Sequence, residues 1–253
     1  MKIALIQRQI IWEDKEKNIS GIEKSISDNP DADLYLLPEM SFTGFSMNTS
    51  KTAEFGRETA ARIGRIAVEN DVSIGFGWVR YKGSKCENVY SIIDNNGNLI
   101  SEYSKIHPFS YSGEDKYFSA GNRIEVFYID EIPFSTFICY DLRFPELFRM
   151  ICKDVHAVII PANWPAKRSE HWKTLLRARA IENQVYIFAV NCVGIMNEVY
   201  YSGDSCIINP NGDVLMSLSD QEGVLKYDFI DDTDQYRKAF PVLNDITTGF
   251  KYR

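Results

Sequence analysis

Residues 134–146 read Phe-Ser-Thr-Phe-Ile-Cys-Tyr-Asp-Leu-Arg-Phe-Pro-Glu. The apolar run Phe134 to Ile138 has the makeup of a strand, and it stops at the thiol of Cys139. Pro145 is tolerated only in the first turn of a helix, and Phe144, Leu147, Phe148 and Ile151 repeat at helical spacing. A sharp turn therefore separates the strand from a helix that starts several residues after Cys139. Two other polar residues hold comparable positions. Glu39 closes the run Leu34-Tyr35-Leu36-Leu37-Pro38, and Lys105 follows the strand-like Leu99 to Tyr103. An acid, an amine and a thiol at three strand ends point to one assembled site.

Working outward, Ile3 to Ile6 reads as a strand, and Ile19, Ile22 and Ile26 mark one face of a helix ending near Asn29-Pro30. Leu34 to Leu37 is a strand. Thr52 to Asn70 has helical composition, with Ile63, Ile66 and Ala67 on one side, and Val72 to Val79 alternates as a strand. Asn96-Gly97 joins Val89 to Ile93 and Leu99 to Tyr103 as a hairpin, and Pro210-Asn211-Gly212 joins Ser205 to Asn209 and Asp213 to Met216 in the same way. Ala157 to Ile160 and Val185 to Val190 are nearly unbroken apolar runs, so they read as strands covered on both faces. Between them Trp172, Leu175, Leu176, Arg179 and Asn183 share a helical face. Arg179 thus points where apolar residues point, and a buried charge needs a partner, for which Glu182 at i+3 is well placed. From about Asp231 regular patterning is lost, while Tyr236, Phe240, Phe250 and Tyr252 add aromatic weight. Residues 228–253 are therefore expected to be an extension that packs at a subunit interface.

The chain has 253 residues and 45% hydrophobic content, enough for one large domain spanning 1–253 with a substantial core. Its formal net charge of −7 and pI near 5.1 lack the basic field that nucleic acid or an anionic membrane surface requires. A small molecule is the expected partner. The start Met1 to Arg8 is too short and too soon charged for a secretory leader, and no segment approaches the roughly 18–20 apolar residues of a spanning helix, so a cytoplasmic location is expected. Cys86, Cys139, Cys152, Cys192 and Cys206 are an odd set without a Cys-x-x-Cys pair, and the three histidines are scattered. Neither a disulfide framework nor a metal site is signalled, and no cofactor is expected.

A thiol attacks a carbonyl or nitrile carbon as thiolate, and a free cysteine has a pKa near 8.5. A nearby carboxylate that takes the proton during attack supplies the missing help, and an ammonium offsets the charge that builds on the substrate. Glu39, Cys139 and Lys105 fit those roles by type, with the backbone N–H of Tyr140 as a second oxyanion donor. From position alone, a turn glutamate, a solvated hairpin lysine and a core cysteine fit as well. His107 and His171 raise a Cys–His protease reading, but the nucleophile signature and secretory features of such enzymes are missing.

The segments around the three residues decide between these readings. Leu-Leu-Pro-Glu-Met-Ser-Phe-Thr-Gly-Phe at 36–45, Tyr-Ser-Lys-Ile-His-Pro-Phe at 103–109 and Cys-Tyr-Asp-Leu-Arg-Phe-Pro-Glu at 139–146 resemble the nitrilase superfamily of carbon–nitrogen hydrolases. The resemblance continues through residues 161–166, 177–184 and 201–212, and covers Lys2 to about Tyr227. It implies an α+β fold, a four-layer αββα sandwich that usually pairs into homodimers, with Glu39 as general base, Cys139 as nucleophile and Lys105 as stabiliser of the tetrahedral intermediate. Many members carry a second glutamate near the site, a place that Glu114 matches.

Within that superfamily the Asn-Trp-Pro-Ala segment and the sequence after Cys139 look most like the bacterial ω-amidase branch. Those enzymes cleave the terminal amide of 2-oxoglutaramate and 2-oxosuccinamate. Hydrolysis of another small amide (deaminated glutathione, an aliphatic amide, an N-carbamoyl compound) or of a nitrile is an alternative, and a catalytically silent binding member is a further one. Such a substrate carries a carboxylate, so a cation must meet it. Arg143, Lys167 and Arg168 are the candidates, although Arg143 is also placed to pair with Glu146. Trp164 and Phe42 are candidate pocket walls, Asn163 a candidate substrate-positioning group, and Pro108 a departure expected to reshape the wall beside Lys105.

Overall fold

The computed structural model describes residues 1–247. The first half runs β1 (Lys2–Gln7), α1 (Lys15–Asp28), β2 (Leu34–Leu36), α2 (Thr49–Thr52), α3 (Glu58–Asn70), β3 (Ser73–Lys82), β4 (Lys85–Ile93) and β5 (Leu99–Ser104). A short α4 (Glu114–Tyr117) leads into β6 (Phe127–Ile129), β7 (Ile132–Thr136), α5 (Pro145–Ile151), β8 (Ala157–Ala162), α6 (Ser169–Asn183) and β9 (Tyr186–Asn191). Then come β10 (Val193–Met196), β11 (Val199–Ile208), β12 (Val214–Ser219), β13 (Gly223–Asp228) and α7 (Thr233–Ala239).

Both halves follow one plan. β1, β2 and β3 run parallel and pass into antiparallel β4 and β5. β7, β8 and β9 run parallel, and β9 is flanked by antiparallel β11, which pairs with β12. Parallel neighbours need long crossovers, which α1, α3, α5 and α6 provide. β13 completes the first sheet against β1, and β6 extends the second beside β7.

Side-chain alternation in the strands sets the layers. Ile3 and Leu5 join the apolar cluster that holds Phe134, Ile159 and Phe188 of the other sheet, whereas Ala4 and Ile6 join Ile19, Ile22 and Ile26 of α1. Leu34 and Leu36 divide from Tyr35 and Leu37 in the same way. The sheets therefore face each other with helices outside, the αββα sandwich that the resemblance implies. Ile3, Leu5, Leu34 and Leu36 are each 0% exposed, and burial of such a side chain stabilises the fold by about 1.5–3 kcal/mol.

Two readings are corrected. The helix expected over 52–70 is split, because the Glu54 backbone pairs with β3: its N–H donates to the Val79 carbonyl and its carbonyl accepts from Tyr81. The Glu54 carboxylate then accepts from the Thr59 N–H and hydroxyl, holding the start of α3. The tail is also more regular than its pattern suggests. α7 forms there, and Arg237 ties it to its own chain by donating to the carbonyls of Cys152, Val155 and Gln184. Phe250 and Tyr252 lie outside the described residues.

One close approach positions the acid. The Gly77 N–H donates to Ser41 Oγ at 2.9 Å and the Ser41 N–H donates to the Gly77 carbonyl at 2.9 Å, so β3 runs directly under the Glu39 turn. A Cβ at Gly77 would lie 2.4 Å from the Met40 nitrogen and 2.9 Å from the Glu39 carbonyl carbon. We expect Gly77→Ala to destabilise the protein by about 1–3 kcal/mol in urea unfolding, with a loss of turnover out of proportion to that change. A variant of unchanged stability and turnover would show that the turn yields freely.

Candidate active site

Strand ends deliver the candidate residues to one buried point. β2 leads through Leu37-Pro38 to Glu39, β5 to Lys105, and β7 through Phe137-Ile138 to Cys139. Lys105 Nζ donates to Glu39 Oε1 at 2.8 Å and to Glu114 Oε2 at 2.9 Å. All three side chains are at most 1% exposed. Asn88 Nδ2, from β4, donates to Glu39 Oε1 at 2.8 Å and to Glu114 Oε1 at 3.0 Å. The Phe109 N–H donates to Glu114 Oε2 at 2.5 Å, and the Asn163 N–H to Glu39 Oε2 at 2.9 Å. Every carboxylate oxygen of the pair thus has a donor, as burial of two acids demands.

Cys139 opens a tight turn over residues 139–143 with φ +45°, a left-handed conformation that costs a non-glycine residue about 1–3 kcal/mol. The surroundings hold it there. Asp141, fully buried, accepts from the Tyr103 hydroxyl at 2.8 Å, the Ile138 N–H at 3.0 Å and the His107 N–H at 2.9 Å. Arg179 of α6 donates twice to the Leu142 carbonyl, at 3.1 and 2.8 Å, and pairs with Glu182 at 2.8 Å, the partner its position called for. The His107 ring is engaged by Asp141 Oδ1 and stacked on Phe144, an arrangement that gives the Cys–His reading no support. At the start of the turn, the Tyr140 N–H is one of those without an acceptor inside a helical turn.

Electrostatics set the resting proton positions. Burial alone would push the Lys105 ammonium down, but the charges of Glu114 and Glu39 outweigh it and hold it above its ordinary value. Burial raises the Cys139 thiol well above the usual range, the Glu39 charge adds to this, and Lys105 opposes it. Glu114 is also raised, first by burial, against the pull of Lys105. The site rests as a neutral thiol beside a carboxylate and an ammonium, an arrangement suited to moving the proton as the sulfur forms its bond.

A cavity of about 210 Å³ opens at Cys139, with Phe45, Phe109, Trp164 and Tyr201 among its walls and Arg143, Lys167 and Arg168 among its polar groups. Trp164 is held through its backbone: its N–H donates to Asn191 Oδ1 at 2.8 Å, and its carbonyl accepts from Asn191 Nδ2 at 3.0 Å. Arg143 does not pair with Glu146. Its guanidinium lies 4.6 Å over the Trp164 ring, with Nη2 3.3 Å from His171 Nδ1. Asn163 lines the cavity and also braces the acid, its Nδ2 donating to the Glu39 carbonyl at 2.5 Å. Phe42 is not a wall: it is 1% exposed and packs on Phe76 in the core behind the sheet, and Phe45 takes the place assigned to it. Pro108 does not line the cavity either, but its neighbour Phe109 does. Sequence reasoning missed Asn88, Asp141, Asn191 and Tyr201. A polar residue inside or at the end of an apolar run was the available signal for Asn88 and Asn191.

An αββα sandwich that gathers a thiol, a carboxylate and an ammonium at its strand ends has the architecture of a hydrolase of carbon–nitrogen bonds. The chain belongs to the carbon–nitrogen hydrolase family, whose model matches residues 2–238, and it is an enzyme acting on amides. It is 36% identical to the 2-oxoglutaramate amidase of Bacillus subtilis over 96% of this chain and 96% of that protein. It is also 30% identical to the omega-amidase YafV of Escherichia coli strain K12, over 97% and 96%. Among solved structures, a CN-hydrolase superfamily protein of Xanthomonas campestris superposes with a TM-score of 0.92 at 28% identity, covering 100% of this chain and 99% of that one. Among the described residues no helix is long and apolar enough to cross a membrane.

Because burial holds the thiol high, alkylation of Cys139 by iodoacetamide should accelerate with each pH unit through pH 9, as read by peptide mass. A plateau below pH 8 would reveal a resident thiolate and overturn this picture of the resting site.

Proposed function

We propose that the protein hydrolyses the terminal amide of a small 2-oxo acid, such as 2-oxoglutaramate or 2-oxosuccinamate, to ammonia and the dicarboxylate, without a metal or cofactor. The observation that carries the substrate class is the cavity lining: Arg143, Lys167 and Arg168 converge beside Cys139 in a chain of net charge −7. A local concentration of cations in an acidic protein suits a substrate with a free carboxylate. The names of the relatives at 36% and 30% identity support the same choice.

In this reading Glu39 takes the Cys139 proton as Sγ bonds to the amide carbon and the carbonyl electron pair moves onto oxygen. Lys105 Nζ and the Tyr140 N–H hold that oxyanion, while Glu114 and Asn88 hold Lys105 and Glu39 in place. Glu39 returns the proton to the leaving nitrogen, the C–N bond breaks and ammonia departs, leaving a thioester. Glu39 then takes a proton from water as its oxygen adds to the thioester carbon. Collapse breaks the C–S bond, and the acid product leaves as the thiol is restored.

The same proposal places residues 1–253 in one domain that works as a cytoplasmic homodimer, with 228–253 at the subunit interface. Ile230 at 77% exposure and Phe240 at 58% support such a contact, and five unpaired cysteines suit a reducing compartment. Light scattering should give twice 29.1 kDa, and Phe240→Asp should shift the population toward monomer. A wild-type monomer would refute the dimer.

For the chemistry, ammonia release should favour 2-oxoglutaramate over a simple aliphatic amide and a nitrile in kcat/KM. Cys139→Ala should lose turnover altogether, and Glu39→Gln should lose about 10²–10⁴-fold. Full activity in Cys139→Ala would sink the mechanism, whereas equal rates across the panel would sink only the substrate.

A further inference from the structure

One polar group in the pocket has no role in the steps above. Tyr201, on β11 opposite Gly194 of β10, is 4% exposed and packs with Ile10, Cys192 and Met196, yet it lines the cavity at Cys139. Its hydroxyl makes no hydrogen bond to any described residue, and it is not among the polar atoms sealed away without a partner. A buried phenol ordinarily finds an acceptor, so the acceptor for this one arrives with the ligand. Burial foremost, with the Glu39 charge adding to it, pushes the phenol up, which keeps it an O–H donor at working pH.

The charge of the surrounding wall narrows what that acceptor is. Besides Lys105, the cavity presents Arg143, Lys167 and Arg168, and no Asp or Glu lines it among the described residues. Building on the amide reading above, we infer that Tyr201 is a specificity-determining residue whose hydroxyl donates to the 2-oxo oxygen of the substrate, so that the pocket selects 2-oxo over 2-amino acid amides. A 2-oxo acid offers two adjacent acceptors, the keto oxygen for a neutral donor and the carboxylate for a guanidinium. A 2-ammonium group instead sets donors against a donor and adds positive charge to a wall of cations, a repulsive discrimination.

The test compares 2-oxoglutaramate with glutaramate, the same chain without the oxo group, in wild type and Tyr201→Phe. The substitution keeps the ring in its packing, and thermal melting checks that the fold is intact. We expect the ratio of kcat/KM for the two amides to fall about tenfold in the variant, the scale of one lost hydrogen bond. Calorimetric binding of 2-oxoglutarate against glutarate should lose its preference in parallel, a readout independent of turnover. An unchanged ratio in the variant, whether or not both rates fall, overturns the role of Tyr201. A wild type indifferent to the oxo group overturns the substrate reading itself, so the two failures are separable.

Discussion

The contact on which the site depends is a buried ammonium shared between two buried carboxylates. Lys105 lies 2.8 Å from Glu39 and 2.9 Å from Glu114, with all three sealed from water. Desolvation of ions costs several kcal/mol each, and only close pairing with complete hydrogen bonding offsets it. Two acids with one base leave about one surplus negative charge in the cluster, and a thiolate beside them would add another. Burial first, and the Glu39 charge after it, keep Cys139 a thiol despite its lysine neighbour. In the mechanism we propose, the proton moves when the sulfur commits to a carbonyl carbon and the new negative charge appears on the substrate oxygen.

This balance needs positional accuracy that strand ends from two different sheets supply. Glu39, Asn88 and Lys105 belong to the first half of the chain, and Cys139 and Asn163 to the second. The candidate site thus lies on the seam between the two repeats of one strand–helix plan. Cross-braces fix it: Asn163 bonds to both the side chain and the backbone of Glu39, while Asp141 joins the cysteine turn to Tyr103 and His107 on either side of Lys105. A left-handed Cys139 is tolerable because Asp141 and Arg179 hold its turn from both ends.

Much of this was legible in the chain. Apolar runs ending in Glu39, Lys105 and Cys139 marked the groups that the fold gathers at one point, and the spacing through Trp172, Leu176 and Arg179 announced a buried guanidinium with Glu182 in place to pair with it. What periodicity could not show was where long-range polar bonds close. Asn88 occupies an ordinary strand position, and Asp141 looks like a turn residue, yet each satisfies groups far away in sequence. Phe42 was assigned to the pocket because it follows Glu39 closely, but the left-handed Met40 turns the chain so that Phe42 faces the core and Phe45 the cavity. The helix in the tail was missed for a related reason: Arg237 ties α7 down by donating to three carbonyls distant in sequence, and no hydrophobic pattern encodes that.

Substrate choice follows from how this acidic protein arranges its few local cations. The Glu39–Lys105–Glu114 cluster is closed and has more acids than bases, so it offers no pull on a distant carboxylate. In the proposed reading the attraction comes from the cavity-lining Arg143, Lys167 and Arg168, and two of these lie over aromatic rings, Arg143 on Trp164 and Arg168 on Phe109. An aromatic face beneath a guanidinium supports the cation without taking its N–H donors, which suits recognition of a carboxylate. The Trp164 platform is pinned by Asn191, and Phe109 is the residue whose N–H steadies Glu114. The cavity walls are therefore built on the same backbone segments that hold the buried acids, so in the proposed reading substrate seating and placement of the amide at the thiol are set together.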